Sequence, residues 1–422
     1  MSDRSRRHFQ YVIVICFALF VFGSAFSIAL AQVSLGVSLI LLVILSILTR
    51  MNPVTTIPRW FYIWAALYVA WMMLSAVAGP TSLQSIRILK EEWLFLAIPA
   101  GIFLFREDQY RRYLLTALAL GVGLVSLYAI VQHFSGVHWF RTQPLLAASD
   151  YGFIVTGNFS HSLTFGNYYG TATLFLAGYA MAGRAELSRW LRQLLILVSL
   201  LAMIATILSY SRATVAGMAL GLILLGLIMG RKYLVYCTGI VAVMATAILI
   251  TMPGLSYRFS DKTVRDMGGV YEGGRVFIWK NSLKVITDHP ILGVGQGNFQ
   301  AAYASHLRAD IPEKRKLTHA HNDLLNIAAI SGVPGAVFFA GMWLSALVCF
   351  IEGIRRGRRS GIISAPSVAA LVGSVVFLST SLFEATFADE EVRQLLMFIW
   401  AVGLSATYKT TNMTNRPAIK NS

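Results

Sequence analysis

Charge is what this sequence has least of. Asp, Glu, Lys and Arg make up 13% of its 422 residues, against 56% hydrophobic residues and a mean hydropathy of +0.65. A soluble domain carries about 25% charged residues. The shortfall excludes a water-soluble fold and predicts an all-α polytopic membrane protein. Cysteine is nearly absent too. Cys16, Cys237 and Cys349 each lie in an apolar run, so neither a disulfide framework nor a metal cluster is visible. Internal repeats, heptads and low-complexity tracts are missing as well. Acidic residues number 19 against 35 basic ones, a net charge of +16. That excess resembles a nucleic-acid signal, but the cations collect in the segments between apolar runs, where they set topology instead. No nucleic-acid partner is expected.

What the chain has is apolar runs, at 11–29, 33–48, 60–78, 93–105, 113–134, 163–182, 191–208, 214–229, 233–251, 333–351, 363–383 and 395–408. A span needs about 20 apolar residues, so these predict about twelve transmembrane helices. Ala29-Leu30-Ala31 resembles a signal-peptidase site, but the run before it is long for a signal peptide, and an uncleaved first helix is expected. Residues 1–251 hold the first nine spans, 252–318 a long loop, 319–408 a histidine motif with the last three spans, and 409–422 a tail. One set of loops is basic, as at Arg106, Arg111 and Arg112 or Arg355, Arg356, Arg358 and Arg359. The alternate short loops hold only Arg87, Lys90, Arg141, Arg212 and Arg393. By the positive-inside rule both termini are cytoplasmic, and the segments 135–162 and 252–318 lie on the outer side.

The candidate chemistry gathers on that outer side. Thr318–Gly335, THAHNDLLNIAAISGVPG, places two histidines and an Asn-Asp pair before Gly332-Val-Pro334-Gly335, a predicted break between an outer helix and the next span. A neutral imidazole takes a proton from an attacking alcohol near pH 7. If a helix covers 320–330, His319 and His321 point to different faces, which argues against both binding one metal. Interfacial histidines capping a helix would be the plainer reading. Asn322 and Asp323 are expected as N-terminal helix residues.

Arg275 opens a predicted amphipathic helix whose apolar face is Val276, Trp279, Leu283 and Ile286, with Lys280 and Lys284 together at i, i+4. A cation at a helix start opposes the dipole, and a nearby anion would remove the conflict. Arg212, after Ser209-Tyr210-Ser211, stands at a span mouth and either snorkels or binds a ligand anion. Guanidinium grips phosphate bidentately, which suits a pyrophosphate. Asn158, His161 and Asn167 are candidate sugar contacts. Arg87 and Lys90 either meet acidic headgroups or pair with Glu91 and Glu92. Gly293-Val-Gly295-Gln-Gly297 mimics a nucleotide loop, but no parallel-strand unit precedes it, so turns with positive φ are predicted.

His321-Asn322, nine residues, then Gly332-x-x-Gly335 resembles the HNx9GxxG signature of bacterial O-antigen ligases, which share a superfamily with O-antigen polymerases and protein O-oligosaccharyltransferases. Ser211-Arg212, Arg275…Trp279, Asp288-His-Pro-Ile-Leu-Gly-Val-Gly295 and Gly157-x-Phe159 fall in the order the family shows. The resemblance implies a GT-C-type glycosyltransferase of the bacterial inner membrane with its active site in the periplasm. The donor would be O-antigen on undecaprenyl pyrophosphate and the acceptor lipid A–core oligosaccharide, with no metal and no cofactor. Carried onto this chain, His321 would be the general base, and Arg212 and Arg275 would hold the pyrophosphate. The alternatives are an O-antigen polymerase and a transporter of lipid-linked glycans.

Overall fold

The apolar runs form helices in the computed structural model, which describes residues 3–50, 58–79, 82–148, 151–260, 274–307 and 317–414, although the run at 11–29 is interrupted by a turn at 24–27. The first helices are α1 (Asp3–Gly23), α2 (Ile28–Thr49), α3 (Arg59–Ala78), α4 (Ser82–Leu89), α5 (Ala97–Phe105), α6 (Asp108–Ser135), α7 (Ser162–Ala182) and α8 (Arg189–Leu208). There follow α9 (Arg212–Met229), α10 (Arg231–Thr251), α11 (Pro253–Phe259), α12 (Arg275–Asp288), α13 (Phe299–Ser305), α14 (Asp323–Arg359), α15 (Ala365–Ser381) and α16 (Glu390–Thr414). Among the described residues there is no strand, only an isolated bridge between Ala147 and Phe153. Among the described residues eight helices, α1, α2, α3, α6, α8, α9, α10 and α14, are long and apolar enough to cross a membrane; α15 is apolar but shorter. Parts of the predicted outer loop (261–273 and 308–316) and of the predicted tail (415–422) lie outside the described residues.

Helices suit an apolar solvent because each backbone group finds its partner inside the segment. α10 shows what such a solvent leaves outside: Val243 and Ile250 are 70% and 74% exposed, a surface that needs lipid rather than water. α7 is the opposite case. It is buried on all sides, packed by α8, α9, α15 and α16. With little hydrophobic drive between helices in lipid, close approach has to come from small residues. Gly170 supplies it, since a Cβ there would meet the Thr214 methyl at 2.3 Å. The run at 93–105 departs from a full span: it is a 3-10 turn at Lys90–Leu96 followed by the nine residues of α5. Pro99 withholds the N–H that an α-helix would pair with the Phe95 carbonyl, and the preceding turn tightens.

The break in α14 is built from both sides. Gly332 has φ 74° and ψ 176° inside the helix. Pro334 has no N–H for the Ile330 carbonyl. The freed carbonyls are taken by the 290–295 turn and by α3. Val294 and Gly295 N–H donate to Ala329 and Ile330 O at 2.9 Å, Val333 N–H donates to Pro290 O, and Trp71 Nε1 donates to Ser331 O. The turns at Gly293, Gly295 and Gly297 have φ of 66°, 77° and 83°, as the sequence predicts. Gly332 also has no room for a side chain: a Cβ would lie 2.0 Å from Ile291 O. The Asp288–Gly295 segment and the Gly332 break are thus two halves of one joint.

Polar contacts between loops sort into two ends. Arg111 meets Asp108 and Glu186, and Arg358 Nη2 donates to Ile228 O. All lie in segments predicted to be basic and inner. At the opposite end Val155 N–H donates to Leu208 O, Thr164 meets Asp389, and Arg393 meets Glu91 and Glu92. The last contact corrects an expectation: Glu91 and Glu92 pair with Arg393 at 2.9 and 3.1 Å, not with Arg87 or Lys90, which are exposed. The guanidinium on α16 points inward, where a buried charge needs a partner, while Arg87 and Lys90 reach solvent.

Candidate active site

The turn before α14 carries the histidines. The helix starts at Asp323, two residues beyond His321, because the Asn322 side chain caps it by accepting Leu325 N–H at 2.9 Å. His319 and His321 therefore lie in the turn rather than on helix faces. Their ring centroids are 4.2 Å apart, which overturns the expectation that they diverge. His321 has φ 50°, a left-handed conformation uncommon outside glycine. The turn is held on three sides. His321 N–H donates to His319 Nδ1 at 3.3 Å, Trp279 Nε1 donates to the His321 carbonyl at 3.4 Å, and Ala320 N–H donates to the Asn326 side chain.

The loop between α15 and α16 closes onto this turn. Asn322 Nδ2 donates to Leu382 O, and Asp323 accepts from Phe387 N–H at 3.0 Å and from Thr386. These ties bring Glu384 against His321, with Oε2 2.6 Å from Nδ1. The other carboxylate oxygen, Oε1, pairs with Arg275 Nη2. The three side chains are 13–22% exposed, so their fields are poorly screened. Burial by itself would raise the Glu384 carboxyl; the His321 hydrogen bond and the Arg275 charge outweigh it and hold the group below its ordinary value. An ionised Glu384 fixes the proton of His321 on Nδ1 and leaves Nε2 to accept. Burial, then the charges of His321 and Arg275, push His319 down to about 4. His319 is thus neutral, a weak base, and already accepting the His321 N–H.

The anion expected at the start of α12 is Glu384 itself, which answers both the Arg275 charge and the helix dipole. The buried face of α12 is Ile278, Asn281, Ser282, Val285 and Ile286; Leu283 is half exposed. This corrects the predicted face. α12 packs against α14 and α13, and its buried positions include the polar Asn281 and Ser282.

His319, His321, Glu384 and Asp389 line a cavity of about 510 Å³, together with His161 and Arg141. Asp389 accepts from Thr164 Oγ1 at 2.9 Å. Burial pushes its carboxyl up to about 7, against the Thr164 bond, which lowers it. Of the sequence candidates, His321, His319 and His161 line this cavity. Arg275 joins it through Glu384. Asn322 acts as cap and tether. Arg212, at the start of α9, lies at the same end but does not line the cavity, nor do Asn158, Arg87, Lys90 or Lys280. The Asn158 carbonyl instead accepts from Arg141 Nε.

Glu384 and Asp389 are the residues that motif reading missed. The signal for them was present: 383–391, FEATFADEE, holds four of the 19 acidic residues where α15 connects to α16. One ligand atom each from His319, His321 and Glu384 lie within 4.8 Å of one another, a spacing a metal ion would accept. The donor set argues otherwise. Glu384 already serves Arg275 and His321, and the guanidinium would repel a cation bound beside it.

A carboxylate-backed imidazole thus faces a cavity at one end of an apolar helical bundle, an arrangement able to take a proton from a hydroxyl. Residues 197–340, about a third of the chain, match the family model described as O-antigen ligase, and the matched stretch holds Arg212, Arg275 and His321. The match supports activity of the O-antigen ligase or polymerase class on lipid-linked glycans in a membrane. No curated protein matches the chain.

Proposed function

We propose that the protein transfers O-antigen polysaccharide from undecaprenyl pyrophosphate to a sugar hydroxyl of lipid A–core oligosaccharide, with inversion and without a metal ion. The observation that carries this reading is the His321–Glu384 hydrogen bond in a cavity beside a stretch of O-antigen ligase sequence. The acceptor hydroxyl gives its proton to His321 Nε2. Its oxygen bonds to the anomeric carbon as the bond to the pyrophosphate breaks on the opposite face. Undecaprenyl pyrophosphate leaves with the bonding electrons. Glu384 stabilises the imidazolium that forms, the role an orienting carboxylate has in hydrolytic triads. Arg212 and Arg275 neutralise the leaving pyrophosphate, which is how fixed cations replace a divalent ion. Arg275 also holds Glu384, so binding the leaving group and setting the base share one guanidinium.

The accompanying topology is about twelve spans in the inner membrane, both termini cytoplasmic and the cavity periplasmic, as the loop charges support. The test is reconstitution of purified protein with undecaprenyl-pyrophosphate-linked glycan and lipid A–core. His321→Ala should abolish transfer while polymer length on the carrier stays unchanged in cells. Long lipopolysaccharide bands persisting in that strain would remove the base. Loss of polymer length would make the protein a polymerase, and donor accumulating on the cytoplasmic leaflet a transporter.

A further inference from the structure

The loop between α6 and α7 exposes aromatic side chains that the proposed chemistry does not use. Trp139 and Phe140 are 64% and 65% exposed, yet the backbone beneath them is tightly held. Trp139 N–H donates to Tyr128 Oη at 2.9 Å, and the Tyr128 ring stacks on Trp139 with centroids 5.0 Å apart and planes 29° from parallel. Phe140 meets the same tyrosine edge-on at 5.5 Å. His138 accepts Phe140 N–H at 3.4 Å and lies 3.3 Å from Thr156 Oγ1. Arg141 Nε is anchored to Asn158 O. Fixed, exposed apolar surface of this kind marks a binding site, and a rigid one loses little entropy when occupied.

The position of the pair selects the occupant. Arg141 and Gln143 border the reaction cavity and also line the shallow pocket formed with Trp139 and Phe140, so one surface runs from His321 out to the aromatic pair. Arg275 and Arg212 do not line that surface. The surface leads to His321 without passing the two arginines proposed for the pyrophosphate. A sugar ring offers a face of C–H bonds that packs on an aromatic face, and hydroxyls at its edge that need polar partners. Trp139 and Phe140 supply the faces; Arg141 and Gln143 supply the edge, with Arg141 suited to an anionic substituent.

We infer that Trp139, Phe140, Arg141 and Gln143 form a subsite for the acceptor oligosaccharide, holding a sugar one or more residues away from the hydroxyl that reacts at His321. This rests on the transferase reading for its name but not for its measurement. Binding of delipidated core oligosaccharide to the full-length protein in detergent is followed by calorimetry, and acceptor and donor KM are measured in the reconstituted reaction. Trp139→Ala and Phe140→Ala should each weaken glycan binding about tenfold and raise acceptor KM in proportion, with donor KM unchanged. Trp139→Phe should restore most of the binding, which a merely unfolded variant would not do. Wild-type affinity in both alanine variants overturns the subsite. So does unchanged glycan binding combined with lost partition into phosphatidylglycerol-containing vesicles, which would make the pair a membrane anchor. If the wild-type protein binds the glycan through Trp139 but transfers nothing, the subsite stands and the transferase reading falls.

Discussion

His321 Nδ1 and Glu384 Oε2 lie 2.6 Å apart although 63 positions separate the residues in sequence. That contact holds the His321 proton on Nδ1 and leaves Nε2 able to accept one. Arg275, 109 positions before Glu384, takes the other carboxylate oxygen, and the His321 hydrogen bond and then the Arg275 charge hold the carboxyl below its ordinary value.

Glu384→Gln keeps the shape and removes the charge. It should lower kcat about a hundredfold or more, because the imidazolium formed during transfer loses its counter-charge. Steady-state transfer kinetics in the reconstituted system check this. Full activity in the variant would take the carboxylate out of the mechanism.

Asp389 carries a pH signature. Its ordinary value is 3.8, and burial raises the folded value to about 7. Between those limits the unfolded chain has lost this proton while the folded one keeps it, so stability falls as pH rises. Melting curves in detergent should show the wild-type protein losing ground to Asp389→Asn from about pH 4 to about pH 7, with no further divergence above. Parallel curves for the two proteins would mean that the carboxyl is already ionised in the fold.

Gly332→Ala should cost at least about 2 kcal/mol, since the backbone is left-handed there and Ile291 O occupies the Cβ position. Pro334→Ala should cost less than about 1 kcal/mol, because the carbonyls that proline frees already have partners in the 290–295 turn and α3. Thermal or denaturant unfolding in detergent ranks the two. Equal losses would mean that proline, not the joint, sets the break.

The helices were legible because an apolar run of the right length has few other outcomes in lipid. So were the Gly332 break, the positive-φ turns after Asp288 and the N-terminal role of Asn322, all of which follow from backbone chemistry within a few residues. The face of α12 was not legible. Val276, Trp279, Leu283 and Ile286 form a helical stripe, but packing buries Asn281 and Ser282 and leaves Leu283 half exposed. The divergence of the two histidines failed for a local reason: the Asn322 cap begins the helix after them.

By itself the sequence determined that the chain is a bundle of apolar helices, that its polar chemistry collects at one set of helix ends, and that His321 heads a motif of the O-antigen ligases. Only the tertiary structure decided which of the 19 acidic residues meets that histidine. Helix formation and turn geometry depend on neighbours along the chain, so they are written locally. The approach of Glu384 to His321 depends on Asn322 and Asp323 tying down the loop that follows α15. That contact exists only after the helices have packed.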